Sequence, residues 1–130
     1  MIDNIEVLVL VADDNDGIRE TTAAILRSVG YTVAEAQDGE AALEKLAHNP
    51  FHVVVLDERM PKLNGTEVVR TMCPEPPPPV IVMASAYDFD SDCRQNIGTR
   101  VFRNLKKPVR PKDLIDAVRE AVDSQRDAGG

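Results

Sequence analysis

The stretch VVVLDERMPKLNG, residues 53–65, decides how the rest of the chain is read. Val53, Val54, Val55 and Leu56 form a short, continuous apolar run. A run without polar alternation marks a strand buried on both faces, as in the middle of a parallel sheet. It ends on a carboxylate, Asp57, where the chain turns. A carboxylate at a buried strand end is partly desolvated, which penalises its ionised form unless a cation or hydrogen-bond donors compensate. Folding alone does not require that penalty, so the sequence should supply Asp57 with a partner.

On either side of this stretch, strand and helix patterns alternate. Val7–Val11 is a second apolar run, stopping at Ala12-Asp13-Asp14. From Asp16, the residues Ile18, Thr22, Ile25, Leu26 and Val29 recur at helical spacing, and Gly30 closes the run as a helix C-terminus would. Thr32–Ala36 reads as a short strand, and residues 38–47 as a helix closed by Asn49-Pro50. Pro61 to Gly65 reads as a loop and Thr66–Met72 as a short helix. The proline-rich residues 73–79 suit only a stiff surface connection, and Val80–Ala84 suits a further buried strand. Residues 88–99 carry Phe89, Cys93 and Ile97 at a spacing of four, but with the poor helix formers Asp88, Asp90, Asp92, Asn96 and Gly98. Arg100–Leu105 is a charge-flanked strand, expected at a sheet edge. The last helix follows Pro111, with Leu114, Ile115, Val118, Ala121 and Val122 on one face. The predicted domain covers residues 1–124, with 125–130 as a mobile tail.

This alternation predicts an α/β fold: five βα units forming a five-stranded parallel sheet, doubly wound in the flavodoxin-like manner. Ligand crevices in such folds lie beyond the carboxyl ends of the strands. Asp13, Asp14, Asp57, Ser85 and Lys107 all fall at or just after a predicted strand end. Three carboxylates on one rim repel one another and raise some of their pKa values, a problem that a hard divalent cation such as Mg²⁺ removes. A carboxylate can also act as a nucleophile and carry an aspartyl phosphate. Phosphoryl transfer depends chiefly on positioning and charge neutralisation, which a metal, a Lys and a hydroxyl donor supply.

Composition narrows the function classes. The 130 residues suit one domain, 43% are hydrophobic, and the net charge is −7. That acidity argues against direct nucleic-acid binding, which rests on neutralising phosphates. The apolar run Val7–Ala12 is too short to cross a bilayer, and MIDNIE does not resemble a secretion signal. Cys73 and Cys93 fit no metal-ligand spacing and read as reduced thiols in a cytoplasmic protein, with a disulfide between them as the less favoured alternative.

Taken in order, VLVADDN (9–15), VVVLDERMPKLNG (53–65), VIVMASA (80–86) and KKP (106–108) resemble the receiver domain of bacterial two-component response regulators. The resemblance spans nearly the whole chain. It implies that Asp57 accepts a phosphoryl group from a sensor histidine kinase or phosphotransfer protein. It implies Mg²⁺ bound by Asp14, Asp57 and the backbone carbonyl of Arg59, with Asp13 acting mostly through a metal-bound water. Ser85 and Lys107 would bind phosphoryl oxygens, and the Lys107–Pro108 bond would be cis. The implied protein is a signalling switch that catalyses only its own phosphorylation and dephosphorylation and passes the signal to a downstream protein. In one place the sequence departs from the family. Three residues before Lys107, where the family usually carries Tyr, Phe or His, stands Asn104.

Plainer readings stand beside these. Asp13 and Asp14 could serve only as turn formers and a helix cap. His48 and His52 flank a loop with no carboxylate partner in view. Arg100, Arg103, Lys106, Lys107, Arg110 and Lys112 form a basic cluster, either a solvated face or a docking surface for an acidic partner. A haloacid dehalogenase-type phosphatase would need an Asp two residues after the nucleophile, where this chain has Arg59. A receiver-like binding module that works without phosphorylation is the remaining alternative.

Overall fold

The computed structural model describes residues 6–72, 79–85 and 101–129, with side chains described as far as 125. The strands are β1 (Leu8–Ala12), β2 (Thr32–Ala36), β3 (Val53–Asp57), β4 (Val80–Ser85) and β5 (Val101–Lys106). The helices are α1 (Asp16–Ser28), α2 (Gly39–His48), α3 (Gly65–Thr71) and α4 (Pro111–Gly129). The strands form one parallel sheet in the order β2-β1-β3-β4-β5. The expected helix over 88–99, the connection 73–78, both cysteines and Arg100 lie outside the described residues.

The sheet buries both faces. On one, Leu10, Val54, Leu56, Ile81 and Met83 pack against Ala42 of α2 and Val68 and Val69 of α3. On the other, Val9, Val11, Val53, Val55 and Val82 pack against α1 through Ala23 and Leu26, and against α4 through Leu114, Ala117, Val118 and Ala121. The four side chains of β3 before Asp57 are 0–5% exposed. Burying a Val or Leu contributes on the order of 2 kcal/mol, enough for the strand to carry one unfavourable carboxylate at its end.

Two features depart from the sequence reading. The last helix continues through Gly129, past the predicted boundary at residue 124, and Gln125 is buried. Residues 124–128 contain no Pro or Gly, so nothing local stops the helix there. At the β5 edge, Ile81 pairs with Val101 but Val82 pairs with Arg103, leaving Phe102 as an extra residue. This bulge lets Phe102 and Leu105, three apart, pack on the same core.

The turn after β3 closes tightly on α3. Asn64 caps the helix, accepting from the Glu67 amide at 2.8 Å while the Glu67 carboxylate accepts from the Asn64 amide at 3.0 Å. A Cβ on Gly65 would lie 2.7 Å from Met83 Cε and 2.8 Å from the Asp57 carbonyl oxygen. The backbone oxygen belongs to the site-bearing strand and cannot yield without moving it. Gly65→Ala should therefore cost about 1–3 kcal/mol in urea unfolding; an unchanged midpoint would contradict this packing.

Candidate functional site

The sheet register builds the site. Ala12 at the end of β1 pairs with Leu56, so Asp13 lies beside Asp57. Asp57 pairs with Ala84, and Ser85 pairs with Lys106, so Lys107 follows on the same rim. The Lys107 amide donates to the Ser85 carbonyl at 2.8 Å, and the Lys107–Pro108 bond is cis. The chain leaves β1 toward β2 on one side and later continues β3-β4-β5 on the other. Asp13 and Asp57 thus stand at the switch point of the sheet, where crevices form in doubly wound folds.

Asp13, Asp14 and Asp57 each offer a carboxylate oxygen within 4.8 Å of the other two. Asp13 and Asp57 are buried, whereas Asp14 is exposed on the rim. Lys107 Nζ lies 3.0 Å from Asp13 Oδ2 and 3.0 Å from Asp57 Oδ1. This ammonium is the partner that the strand-end carboxylate calls for.

The charges do not balance fully. Burial pushes the Asp57 carboxyl up to about 6, against the lowering effect of the Lys107 hydrogen bond and with the Asp13 charge raising it further; a hydrogen bond from the Arg59 backbone also lowers it. Burial opposes the Lys107 charge, but hydrogen bonds to Asp13 and Asp57 outweigh it and hold the ammonium above its ordinary pKa. The native state therefore binds a proton on Asp57 more tightly than the unfolded chain does. The resulting penalty is full above about pH 6 and absent below the ordinary carboxylate value near 4. In metal-free buffer at pH 7, Asp57→Asn should be more stable than wild type by on the order of 2 kcal/mol. That advantage should shrink as the pH falls from 6 toward 4. A difference that stays constant with pH in urea titrations would show that Asp57 ionises normally.

The loops around the triad are pinned by their own side chains. The helix cap of α1 is Asn15, whose side chain accepts from the Ile18 amide at 2.9 Å, so neither Asp13 nor Asp14 is needed as a cap. Asp13 does form a turn, its Oδ1 accepting from the Asn15 amide at 2.9 Å, while Oδ2 faces Lys107. Arg19 Nη1 donates to the Asp13 carbonyl at 3.0 Å. Beyond Asp57, the Glu58 carboxylate accepts from the Thr66 amide at 2.7 Å and from its hydroxyl. Glu58 also accepts through its carbonyl from the Gly65 amide at 2.9 Å, closing the loop that carries Arg59. Ser85 is buried at the end of β4. Sequence patterns do not single out Arg19 or Glu58, because each contact joins residues from different elements.

Other candidates lie elsewhere or are neutralised. His52 Nδ1 accepts from the Leu8 amide at 3.0 Å at the amino end of the sheet, and His48 Nδ1 lies 2.8 Å from the Glu44 carbonyl. The basic cluster divides: Arg103 pairs with Glu120, Lys112 with Asp116, and Lys107 turns into the acidic site. Asn104 is exposed on β5. Among the described residues, no helix is long and apolar enough to cross a membrane.

Comparison with known proteins agrees with this architecture. The chain is 35% identical over 117 residues to the positive alginate biosynthesis regulatory protein of Pseudomonas aeruginosa, covering 87% of this chain and 46% of that protein. It is 34% identical over 113 residues to response regulator MprA of a Mycobacterium species, covering 87% and 49%. It thus spans about half the length of these relatives. Among solved structures, a CheY-like response regulator receiver domain protein from Methanospirillum hungatei superimposes with a TM-score of 0.86 at 27% identity, covering 95% of this chain and 98% of that one. The response regulator receiver domain model matches residues 9–119, and the chain belongs to that family.

Proposed function

We propose that this protein is a phosphorylation-controlled signalling switch in which Asp57 accepts a phosphoryl group. The observation that supports it most is the placement of Lys107 Nζ 3.0 Å from both Asp13 and Asp57 at the end of a buried strand. That arrangement keeps an aspartate oxygen desolvated, oriented and next to a fixed cation, as a nucleophile toward phosphorus requires. The donor would be the phosphohistidine of a sensor kinase or phosphotransfer protein. A P–O bond forms to Asp57 as the P–N bond to the donor imidazole breaks, and the imidazole leaves with the bonding pair and takes a proton from water. Lys107 stays paired with Asp13 while meeting the new phosphoryl oxygens, and the Ser85 hydroxyl donates to one of them.

Three carboxylate oxygens converging within 4.8 Å, with one ammonium among them, fit a small hard cation. Asp14, Asp57 and the Arg59 carbonyl would hold Mg²⁺, with Asp13 completing the acidic set. When bound, Mg²⁺ would offset the carboxylate charges and those on the transferring phosphoryl group. The output would be altered contacts with a downstream protein in the cytoplasm.

Incubation with acetyl phosphate, with and without Mg²⁺, followed by intact mass, tests this reading. One phosphoryl group should appear, and only with Mg²⁺. A chain that stays unmodified under both conditions would leave a binding module that works without phosphorylation.

A further inference from the structure

The acidic loop is held from behind by a side chain with no direct role in holding phosphate or metal. Arg19, closing the first turn of α1, is largely buried, its side chain 14% exposed. Its guanidinium spans three partners: Nη1 donates to the Asp13 carbonyl at 3.0 Å, Nε to Glu35 Oε1 at 3.2 Å, and Nη2 to Asp16 Oδ1 at 2.8 Å. Glu35 lies on β2 and also pairs with Arg27 Nη2 at 3.3 Å, while Arg27 donates to the Val33 carbonyl at 2.9 Å. Arg19 is thus fixed to the neighbouring strand before it reaches the loop.

The carbonyl it grips belongs to the peptide group joining Asp13 to Asp14. A peptide group is planar, so fixing its oxygen fixes the plane in which the Asp14 amide and Cα lie. Asp14 is exposed, and no side chain among the described residues pairs with its carboxylate to aim it. Asp13, by contrast, is already held by the Asn15 amide and Lys107. We infer that Arg19, buttressed by Glu35, is a positioning residue that aims Asp14 into the cation site. The inference rests on the metal reading of Asp13, Asp14 and Asp57.

Charge and positioning predict opposite results here. Removing a cation makes an acidic site more negative, which by itself tightens Mg²⁺ binding. Loss of positioning weakens it, as loss of groups behind metal ligands commonly does by about 10–100-fold. Mg²⁺ titrations followed by amide chemical shifts, with thermal melts alongside, separate the two. Arg19→Gln is expected to weaken Mg²⁺ about tenfold. Arg19→Lys should recover part of the loss, since an ammonium reaches the Asp13 carbonyl without spanning to Glu35 at the same time. Equal or tighter Mg²⁺ binding in folded Arg19→Gln overturns the inference alone. If that variant does not fold, Arg19→Lys, which keeps the charge, takes its place: Mg²⁺ binding weaker than wild type supports the inference, and unchanged or tighter binding overturns it. A wild-type protein that binds no Mg²⁺ overturns the metal reading and the inference with it.

Discussion

Asp14→Ala will remove the stabilisation that Mg²⁺ gives the wild-type protein. At a Mg²⁺ concentration about a hundredfold above Kd, one site binding only the native state stabilises by about 2.7 kcal/mol. For a domain of this size that is a rise of about 10 °C in melting temperature. Asp14 is one of three carboxylates whose oxygens lie within 4.8 Å of one another, and it is the exposed one. Under the proposed metal reading, its removal takes away a cation ligand, and it also takes away a like charge. The metal-free variant should therefore melt at the wild-type temperature or above, while its Mg²⁺ response nearly disappears. A full Mg²⁺ response in Asp14→Ala would move the cation site elsewhere, and no response in wild type would abolish it.

Lys107→Ala will have the opposite sign from Asp57→Asn, although the two residues form one ion pair. The pair is 3.0 Å long, and Lys107 also holds Asp13 at 3.0 Å. Without the ammonium, two buried carboxylates face each other, and breaking such a pair costs about 3 kcal/mol. Because the folded-state pKa of Lys107 is raised, its contribution is fully present below its ordinary value of 10.5 and is lost only as the pH rises through the higher folded value. At pH 7 the variant thus carries the whole loss. Part of it should return on acidification, because Asp57, held up to about 6 in the wild type and raised further once Lys107 no longer lowers it, takes up a proton and the repulsion with Asp13 fades. Asp57→Asn instead removes the desolvated charge and leaves Lys107 with Asp13. If both variants shift stability in the same direction in metal-free buffer at pH 7, Asp57 is not the destabilising charge of the site.

Much of this was legible because it follows from local rules. The continuous apolar run of β3 has no helical or alternating reading at that length, and its observed span, Val53–Asp57, exceeds the expected one by a single residue. Asp13, Asp57, Ser85 and Lys107 meet because the carboxyl ends of adjacent parallel strands share one rim. The identity of the α1 cap was not legible. Asp13, Asp14 and Asn15 are all competent caps, and only the start of the helix selects Asn15. The Phe102 bulge depends on pairing with β4, which no window of β5 reveals. Arg19 reads locally as a helix-surface Arg, and its grip on the Asp13 carbonyl emerges only when β2 brings Glu35 alongside. The extension of α4 to Gly129 is hidden because a polar C-terminal segment reads as a tail, although its residues are compatible with a helix.

The most direct test of the central claim is peptide mass mapping after incubation with acetyl phosphate and Mg²⁺, on wild type and Asp57→Asn in parallel. One phosphoryl group is expected on the wild-type peptide that contains Asp57, and none on the variant. A phosphoryl group that persists in Asp57→Asn, or that maps in wild type to His48, His52 or another carboxylate, would contradict it.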